Sequence, residues 1–214
     1  MGGGGHAKSV IACLKDSLNT PVLGYTDVSN RGPLLGLPYL GDESLLPELP
    51  SDKCIIGVSY GQSPLDRGIK ESIVQNILNR GGSFENVLAI STLVHDTVCF
   101  GEGMVALNFA VVNCGVSIGS HALLNTCSVV EHDCSIGDYF TASPGSIVCG
   151  DCSIGDRVFL GAGVIVRDGI SIVSDVTIGA GGLVVSDIRE PGLYIGVPVA
   201  KVRDKDSANA NDLM

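Results

Sequence analysis

The sequence predicts a β-solenoid, a three-sided parallel β-helix of six-residue repeats, preceded by a small parallel α/β domain. Three observations carry this reading. Aliphatic residues recur every six positions through the second half of the chain, and glycines recur there every 18. The first 84 residues instead alternate strand-like with helix-like patterns. Composition agrees. Of 214 residues 45% are hydrophobic, yet aromatics reach only 5%, Trp is absent and there are 29 glycines. Such a core must be packed from Val, Ile, Leu and Ala, which suits a repetitive architecture.

The α/β domain is expected over residues 1–84. Gly2-Gly3-Gly4-Gly5-His6 opens the chain, and Ala7, Val10, Ile11, Leu14 and Leu18 follow at helical spacing. Val22 to Asp27 reads as a short strand and Cys54 to Tyr60 as another. Ser63-Pro64-Leu65-Asp66 reads as a capped helix start, with Pro at the first helical position. Leu65, Ile69, Ile73 and Ile77 then form one face, and Gly81-Gly82 ends the helix. Strands alternating with helices imply a parallel sheet. Phe84 to Ile90 leads into the repeat.

The repeat is expected over residues 85–187. Stepping by six from Val94 reaches Val184 through sixteen unbroken positions, thirteen of them Val, Ile or Leu and the others Phe or Ala. Gly101, Gly119, Gly137 and Gly155 follow the aliphatic position at intervals of 18, and Gly161 and Gly179 repeat the interval on another face. A period of 18 holding three sixes means one coil with three short flat faces. The position two before each inward aliphatic is usually small or β-branched, as at Ala110, Val116, Ala122, Ser128 and Cys134. Five coils stacked about 4.8 Å apart make a rod of about 24 Å. Residues 188–214 form a C-terminal segment, polar and expected to fray from Arg203 onward.

Charge and targeting signals narrow the function. The chain carries 23 acidic against 13 basic residues, a net charge of -10, with no Lys/Arg cluster. That argues against a nucleic-acid or anionic-membrane partner. No apolar stretch approaches the roughly 18 residues of a membrane span, and the start lacks a signal-peptide pattern. Eight cysteines are too sparse for a secreted disulfide scaffold. A cytoplasmic, reduced protein is expected.

Two places carry candidate chemistry. Glycines at a helix N-terminus expose backbone N–H groups that can seat phosphate, and Asp27 lies where a nucleotide-binding fold places an acid against a ribose or base. A phosphate loop ordinarily follows a strand, and only Met1 precedes these glycines, so the domain is expected to lack its first strand in this sequence. The second place is His132, within Asn125 to Cys134 and flanked by Glu131 and Asp133. It comes two positions after inward-facing Val130, which puts it near a corner of the prism. A neighbouring carboxylate fixes an imidazole's tautomer and raises its basicity, as a general base requires. The bland alternative is a solvated surface histidine. No metal is expected: His95, His121 and His132 lack a His-x4-His spacing, and zinc needs its ligands near 2 Å. Cys149-Gly150-Asp151-Cys152 reads as small buried side chains, with Cys134 and Cys152 stacked one coil apart.

Several of these segments together resemble the sugar acyltransferases of the sialic acid O-acetyltransferase type, among them bacterial UDP-4-amino-sugar N-acetyltransferases. The carriers are Gly4-Gly5-His6-Ala7-Lys8, Gly24-Tyr25-Thr26-Asp27, Gly36 to Asp42, Asn125 to Asp133, Ser143-Pro144-Gly145 and Gly196-Val197-Pro198. The resemblance implies a Rossmann-like first domain and a left-handed β-helix that forms a homotrimer, with acetyl-CoA in the groove between neighbouring rods. It implies His132 as general base and Asp133 as the acid that increases its basicity, supported by Glu131, Asn125 and the Gly150 backbone N–H. CoA contacts fall on Thr141, Ala162 and Ala180. The nucleotide-sugar site falls on Gly4, Gly5, His6, Asp27, Val28 and Gly57. The family often has His where this chain has Thr141, and Thr can donate a hydrogen bond but cannot become cationic. The implied reaction acetylates the amine of a UDP-amino sugar. O-acetylation of sialic acid is the near alternative, and a non-enzymatic hexapeptide scaffold the distant one.

Overall fold

The structure, a computed structural model, describes residues 2–17, 22–42, 54–55 and 64–202. The expected site at Gly57, the helix cap at Ser63 and the tail beyond Arg203 lie outside the described residues. The chain divides into two compact units, Met1–Ile90 and Ser91–Met214.

In the first unit, helix α1 (Gly5–Ser17) begins at the glycine run and buries Ala7, Val10, Ile11, Cys13 and Leu14. Ala7 and Ile11 pack with Tyr25 and Leu34, joined by Leu37 and Tyr39. The strand expected over Val22 to Asp27 is reduced to a single parallel bridge, Tyr25 to Tyr39. Its physical reason is local. The Tyr25 N–H donates to Pro38 O and the Leu40 N–H to Tyr25 O, but Pro38 has no N–H with which to extend the ladder. Cys54–Ile55 pairs in parallel with Ser83–Phe84, and helix α2 (Pro64–Asn79) crosses between them. That is one βαβ unit.

Helix α2 buries Ile73, Val74 and Ile77, whereas Ile69, expected on the same face, is 43% exposed. Steps of four advance 400° around a helix, so the row drifts about 40° per step and leaves the buried face by Ile69. At its C-terminus the Gly82 N–H donates to Ile77 O and the Gly81 N–H to Leu78 O. Gly81 sits at φ +80, the left-handed residue that such a helix stop needs.

The second unit is a parallel β-solenoid. Its first face stacks six strands, Leu93–Val94, Val111–Val112, Val129–Val130, Ile147–Val148, Ile165–Val166 and Leu183–Val184. The second stacks five, Cys99–Phe100, Ser117–Ile118, Ser135–Ile136, Ser153–Ile154 and Ser171–Ile172. The third runs through Val105–Ala106, Leu123–Leu124, Thr141–Ala142, Phe159–Leu160 and Val176–Ile178. The C-terminal Gly192–Gly196 and Val199–Lys201 extend this third sheet, the last strand antiparallel. The six-strand face exceeds the expected five coils because the sixteen positions span fifteen six-residue steps, which complete five turns, and the last position begins a sixth. Within the coils each strand pairs with residues 18 apart, such as Val130 with Val148 and Ile136 with Ile154, whereas Val176–Ile178 meets the C-terminal strand at a spacing of 16.

From Ala106 to Val184 every sixth residue is buried, as the periodicity requires, while Val94 and Phe100 in the first coil are only half-buried. The second inward column is filled by Ala110, Val116, Ala122, Ser128 and Cys134, and it also admits the fully buried Met104 and Phe140. Each fully buried aliphatic contributes about 1.5–3 kcal/mol. Outward, the first face presents Leu93, Val111, Val129, Ile147, Ile165 and Leu183, while the second presents Cys99 and a row of serines.

The corners show a regularity that side-chain types do not announce. Every sixth residue from Gly103 to Gly181 has positive φ, between +57 and +72. Some are glycines, but Phe109, His121, Cys127, Asp133, Tyr139, Asp151, Arg157 and Asp175 occupy the same column. Stacking of the coils overrides the usual cost of about 1–2 kcal/mol for an L-residue in this conformation.

Candidate active site

His132 and Asp133 form one corner of the solenoid, between the first and second faces. Val130 is fully buried, and the chain turns outward immediately after it. Both side chains are consequently open to solvent, at 56% and 68% exposure. Imidazole Nδ1 and Asp133 Oδ2 are 3.0 Å apart. That hydrogen bond with Asp133 is the main cause that raises the His132 pKa above its ordinary 6.5. Burial, the next largest effect, opposes it, and the charges of Asp133, Glu131 and Asp151 add to it. With Nδ1 committed, Nε2 is the nitrogen available to an acceptor's proton.

The neighbouring coils frame this pair. Asn113 Nδ2 donates to Glu131 Oε2 at 2.8 Å from the coil before. Gly150, in the coil after, lies beneath the imidazole: a Cβ there would stand 2.6 Å from His132 Cε1 and Nε2. The flanking ladder bonds run from Cys149 N–H to Val166 O and from Asp151 N–H to His132 O. Among the described residues the Gly150 N–H has no carbonyl partner.

The other expected residues of this unit stand elsewhere. Asn125 is at the preceding corner of the same coil, its Oδ1 accepting the Thr126 N–H at 2.8 Å. Thr141 opens a strand of the third face between Leu123 and Phe159. Ala162 and Ala180 are exposed and one coil apart at the corner between the third and first faces, where the Gly181 N–H donates to Ala162 O. His132 and the corner residues Asn125, Ala162 and Ala180 therefore occupy opposite edges of the aliphatic first face, while Thr141 lies on the third face.

In the first unit, Asp27 closes the glycine loop. Its Oδ2 accepts the Gly3 N–H at 2.6 Å and Arg31 Nε at 3.0 Å, and its Oδ1 accepts the Ser29 N–H at 3.1 Å. Burial pushes this carboxyl up, but those bonds and the Arg31 charge outweigh it and hold the pKa below 3.8. Tyr39 donates to the Asp27 carbonyl at 3.0 Å. Gly3 must lack a side chain, because a Cβ would meet the Tyr25 ring at 2.7 Å. Gly4 and Gly5 are exposed, with nothing within 4 Å of an added Cβ, and Val28 is 73% exposed. His6 is half-buried; desolvation first and the charge of Lys70 second lower its pKa. Burial brings Lys70 itself down to about 8.

The remaining histidines and cysteines have local roles. His95 lies 3.0 Å from Thr97 Oγ1 and 2.8 Å from Asp96, and His121 is buried and stacked on Tyr139 at 5.1 Å. Among the described residues no group of three or more His, Cys, Asp or Glu converges to hold a metal. Cys134 and Cys152 are buried, and their Sγ atoms donate to Cys149 O and Arg167 O at 3.2 Å. The hydrogen bond with Cys152 and burial push the Cys134 thiol up. No helix among the described residues is long and apolar enough to cross a membrane.

Sequence reasoning did not find Asn113, Gly115 or the clasp made by Gly3 with Asp27. For the first two the signal was present, since subtracting one 18-residue period from Glu131 and Asp133 gives their positions.

Comparison with known proteins identifies the class. Residues 133–168 match the family model for the bacterial transferase hexapeptide, six repeats. The fold, this family match and the related structures together define an acyltransferase built on hexapeptide repeats. PerB from Caulobacter crescentus, solved with CoA and GDP-perosamine, is 34% identical over 94% of this chain and 95% of its own, with a TM-score of 0.83. A variant of that GDP-perosamine N-acetyltransferase with one histidine replaced by alanine gives 34% identity and a TM-score of 0.85. The acetyltransferase domain of PglB from Neisseria gonorrhoeae, in complex with acetyl coenzyme A, is 28% identical over 94% of this chain and 96% of its own, with a TM-score of 0.87. The curated protein sequences contain no match to the chain. The chain belongs to the hexapeptide-repeat sugar N-acetyltransferases, the family of PerB. It is an enzyme of the acyltransferase class, and the scaffold alternative is set aside.

Proposed function

We propose that this protein transfers the acetyl group of acetyl-CoA to the amine of a nucleotide-linked amino sugar of the UDP type, with His132 as general base. The observation that carries this is the imidazole pinned through Nδ1 by Asp133 at 3.0 Å, with Nε2 left open at an exposed corner. As the sugar amine attacks the thioester carbonyl, Nε2 takes its proton and a C–N bond forms. The C–S bond then breaks, and the imidazolium returns the proton to the departing CoA thiolate. The Gly150 N–H would steady the oxyanion of the tetrahedral intermediate. Thr141, Ala162 and Ala180 would contact CoA, and Asn125 and Glu131 would orient the amine.

The first unit would hold the nucleotide. Gly4 and Gly5 offer N–H groups at the start of α1, His6 stands beside them, and Asp27, which closes the loop, and Val28 lie at its edge. The amine is preferred to a sugar hydroxyl as nucleophile because the related PerB is an N-acetyltransferase.

The assembly we infer is a homotrimer packed through the aliphatic first face. Six outward Leu, Val and Ile side chains in register make a surface that water solvates poorly. His132 and the alanines Ala162 and Ala180 flank that face on different corners, so a second copy is needed to bring the base and CoA together.

The test is thiol release from acetyl-CoA across UDP- and GDP-linked amino sugars and sialic acids. His132→Ala should lower turnover with the best acceptor about 10²–10⁴-fold. Full activity in that variant would remove His132 from the mechanism, and turnover confined to sialic acid would replace the amine by a hydroxyl.

A further inference from the structure

We propose that the coils on either side of His132 set the orientation of the catalytic pair, with Asn113, Gly115 and Gly150 as positioning residues; this rests on His132 being the base. Each lies one 18-residue period from the group it faces: Asn113 from Glu131, Gly115 from Asp133, Gly150 from His132.

Gly150 makes the strongest case. Its φ lies outside the left-handed region, so backbone geometry does not demand glycine. What demands it is the imidazole: an added Cβ would lie 2.6 Å from Cε1 and Nε2 and 3.1 Å from Nδ1. At Gly119, Gly137 and Gly161 the added atom would meet backbone of the following coil, beside an Asp Oδ1 at the first two, whereas at Gly150 its nearest atoms all belong to the imidazole. Those glycines let coils approach. Gly150 lets a side chain lie flat.

Gly115, in the positive-φ corner column, also leaves room for the carboxylate, since a Cβ there would stand 2.5 Å from Asp133 Oδ1. Asn113 completes the frame by holding Glu131, whose charge acts on the imidazole. The ring is more than half exposed, so an intruding methyl at position 150 can push it into solvent without moving the backbone. The loss then falls on the Asp133 bond and on chemistry, while the fold is kept.

Gly150→Ala in the full chain tests this, because alanine retains the backbone N–H and adds only the methyl. Turnover with acetyl-CoA and the best acceptor of the panel should fall about 10–100-fold, the usual consequence of misplacing a catalytic group by about an ångström. KM for acetyl-CoA should stay within about twofold and Tm within about 2 °C, as expected for a change confined to one exposed ring. The His132 ring resonances should titrate at lower pH than in the wild type, since the bond to Asp133 is lost. Wild-type turnover and an unmoved His132 titration would overturn the proposal. His132→Ala, assayed in parallel, keeps the two readings apart. An active His132→Ala defeats the base itself, whereas an inactive one beside a normal Gly150→Ala defeats only the positioning. Should Gly150→Ala melt early, Asn113→Ala adds no atoms and decides the matter. It should move the acidic limb of the rate profile to lower pH, and an unmoved limb would overturn the proposal.

Discussion

Gly137→Ala isolates the close stacking of the coils from the chemistry. Glycine is not required there by φ, so alanine suits the backbone of its own coil. The added Cβ, however, would stand 2.7 Å from the Asp156 nitrogen and 2.8 Å from the Gly155 carbonyl carbon of the next coil. Ordinary contact begins near 3.4 Å, so both atoms must retreat by about 0.6–0.7 Å, and both belong to the backbone. Asp156 Oδ1, which accepts the Asp138 N–H at 2.9 Å, is displaced as well. Overpacking of this kind costs about 1–3 kcal/mol. For a solenoid unit of this length that is a fall in Tm of about 4–12 °C. Differential scanning calorimetry on the wild type, Gly137→Ala and Gly150→Ala measures it. A Tm within 2 °C of wild type for Gly137→Ala would refute the claim that these glycines exist to let coils approach, and would weaken the contrast drawn with Gly150.

Two further outcomes concern the sites. In the wild type the acidic limb of kcat/KM should have its midpoint above pH 6.5, because Asp133 raises the His132 pKa and the base acts only when neutral. Asp133→Asn should lower both the plateau and that midpoint, and an unshifted limb measured by thiol release would separate Asp133 from the base. Asp27→Asn should raise KM for the nucleotide sugar about threefold to tenfold by weakening charge-assisted bonds to Gly3 and Arg31. The Asp27 pKa is depressed, so the wild-type clasp is present above pH 3.8 and is lost as pH falls through the folded value. Titration of Asp27 should therefore leave substrate affinity unchanged between pH 5 and 8, which isothermal titration calorimetry can check.

The solenoid was legible because its cause is periodic. Two side chains in each six must point inward, and from Ala106 to Val184 the burial of the aliphatic one follows the sequence step for step. The corner conformation was not legible, because Phe109, Tyr139 and Arg157 have no preference for positive φ and acquire it only from stacking. In the first unit the short strand at Tyr25 failed where Pro38 interrupts its partner, a tertiary fact invisible from Val22 to Asp27 alone. His132 and Asp133 were legible as adjacent residues. Their surroundings were spread over 38 residues, from Asn113 to Gly150, and needed the coil length to be read together. Asp27 was noticed for its position, and only coordinates show that its oxygens are engaged with the loop.

The vertical alignment of Asn113, Glu131, Gly115, Asp133, His132 and Gly150 restricts how such a chain can change in length. A whole coil inserted well above or below lengthens the stack and leaves this neighbourhood untouched. One extra residue between Asn113 and Gly150 rotates everything beyond it by a sixth of a face-to-face step, and the imidazole then rests on the wrong floor. Growth and shrinkage of this enzyme are thereby confined to complete storeys, with the His132 storey always kept between two others.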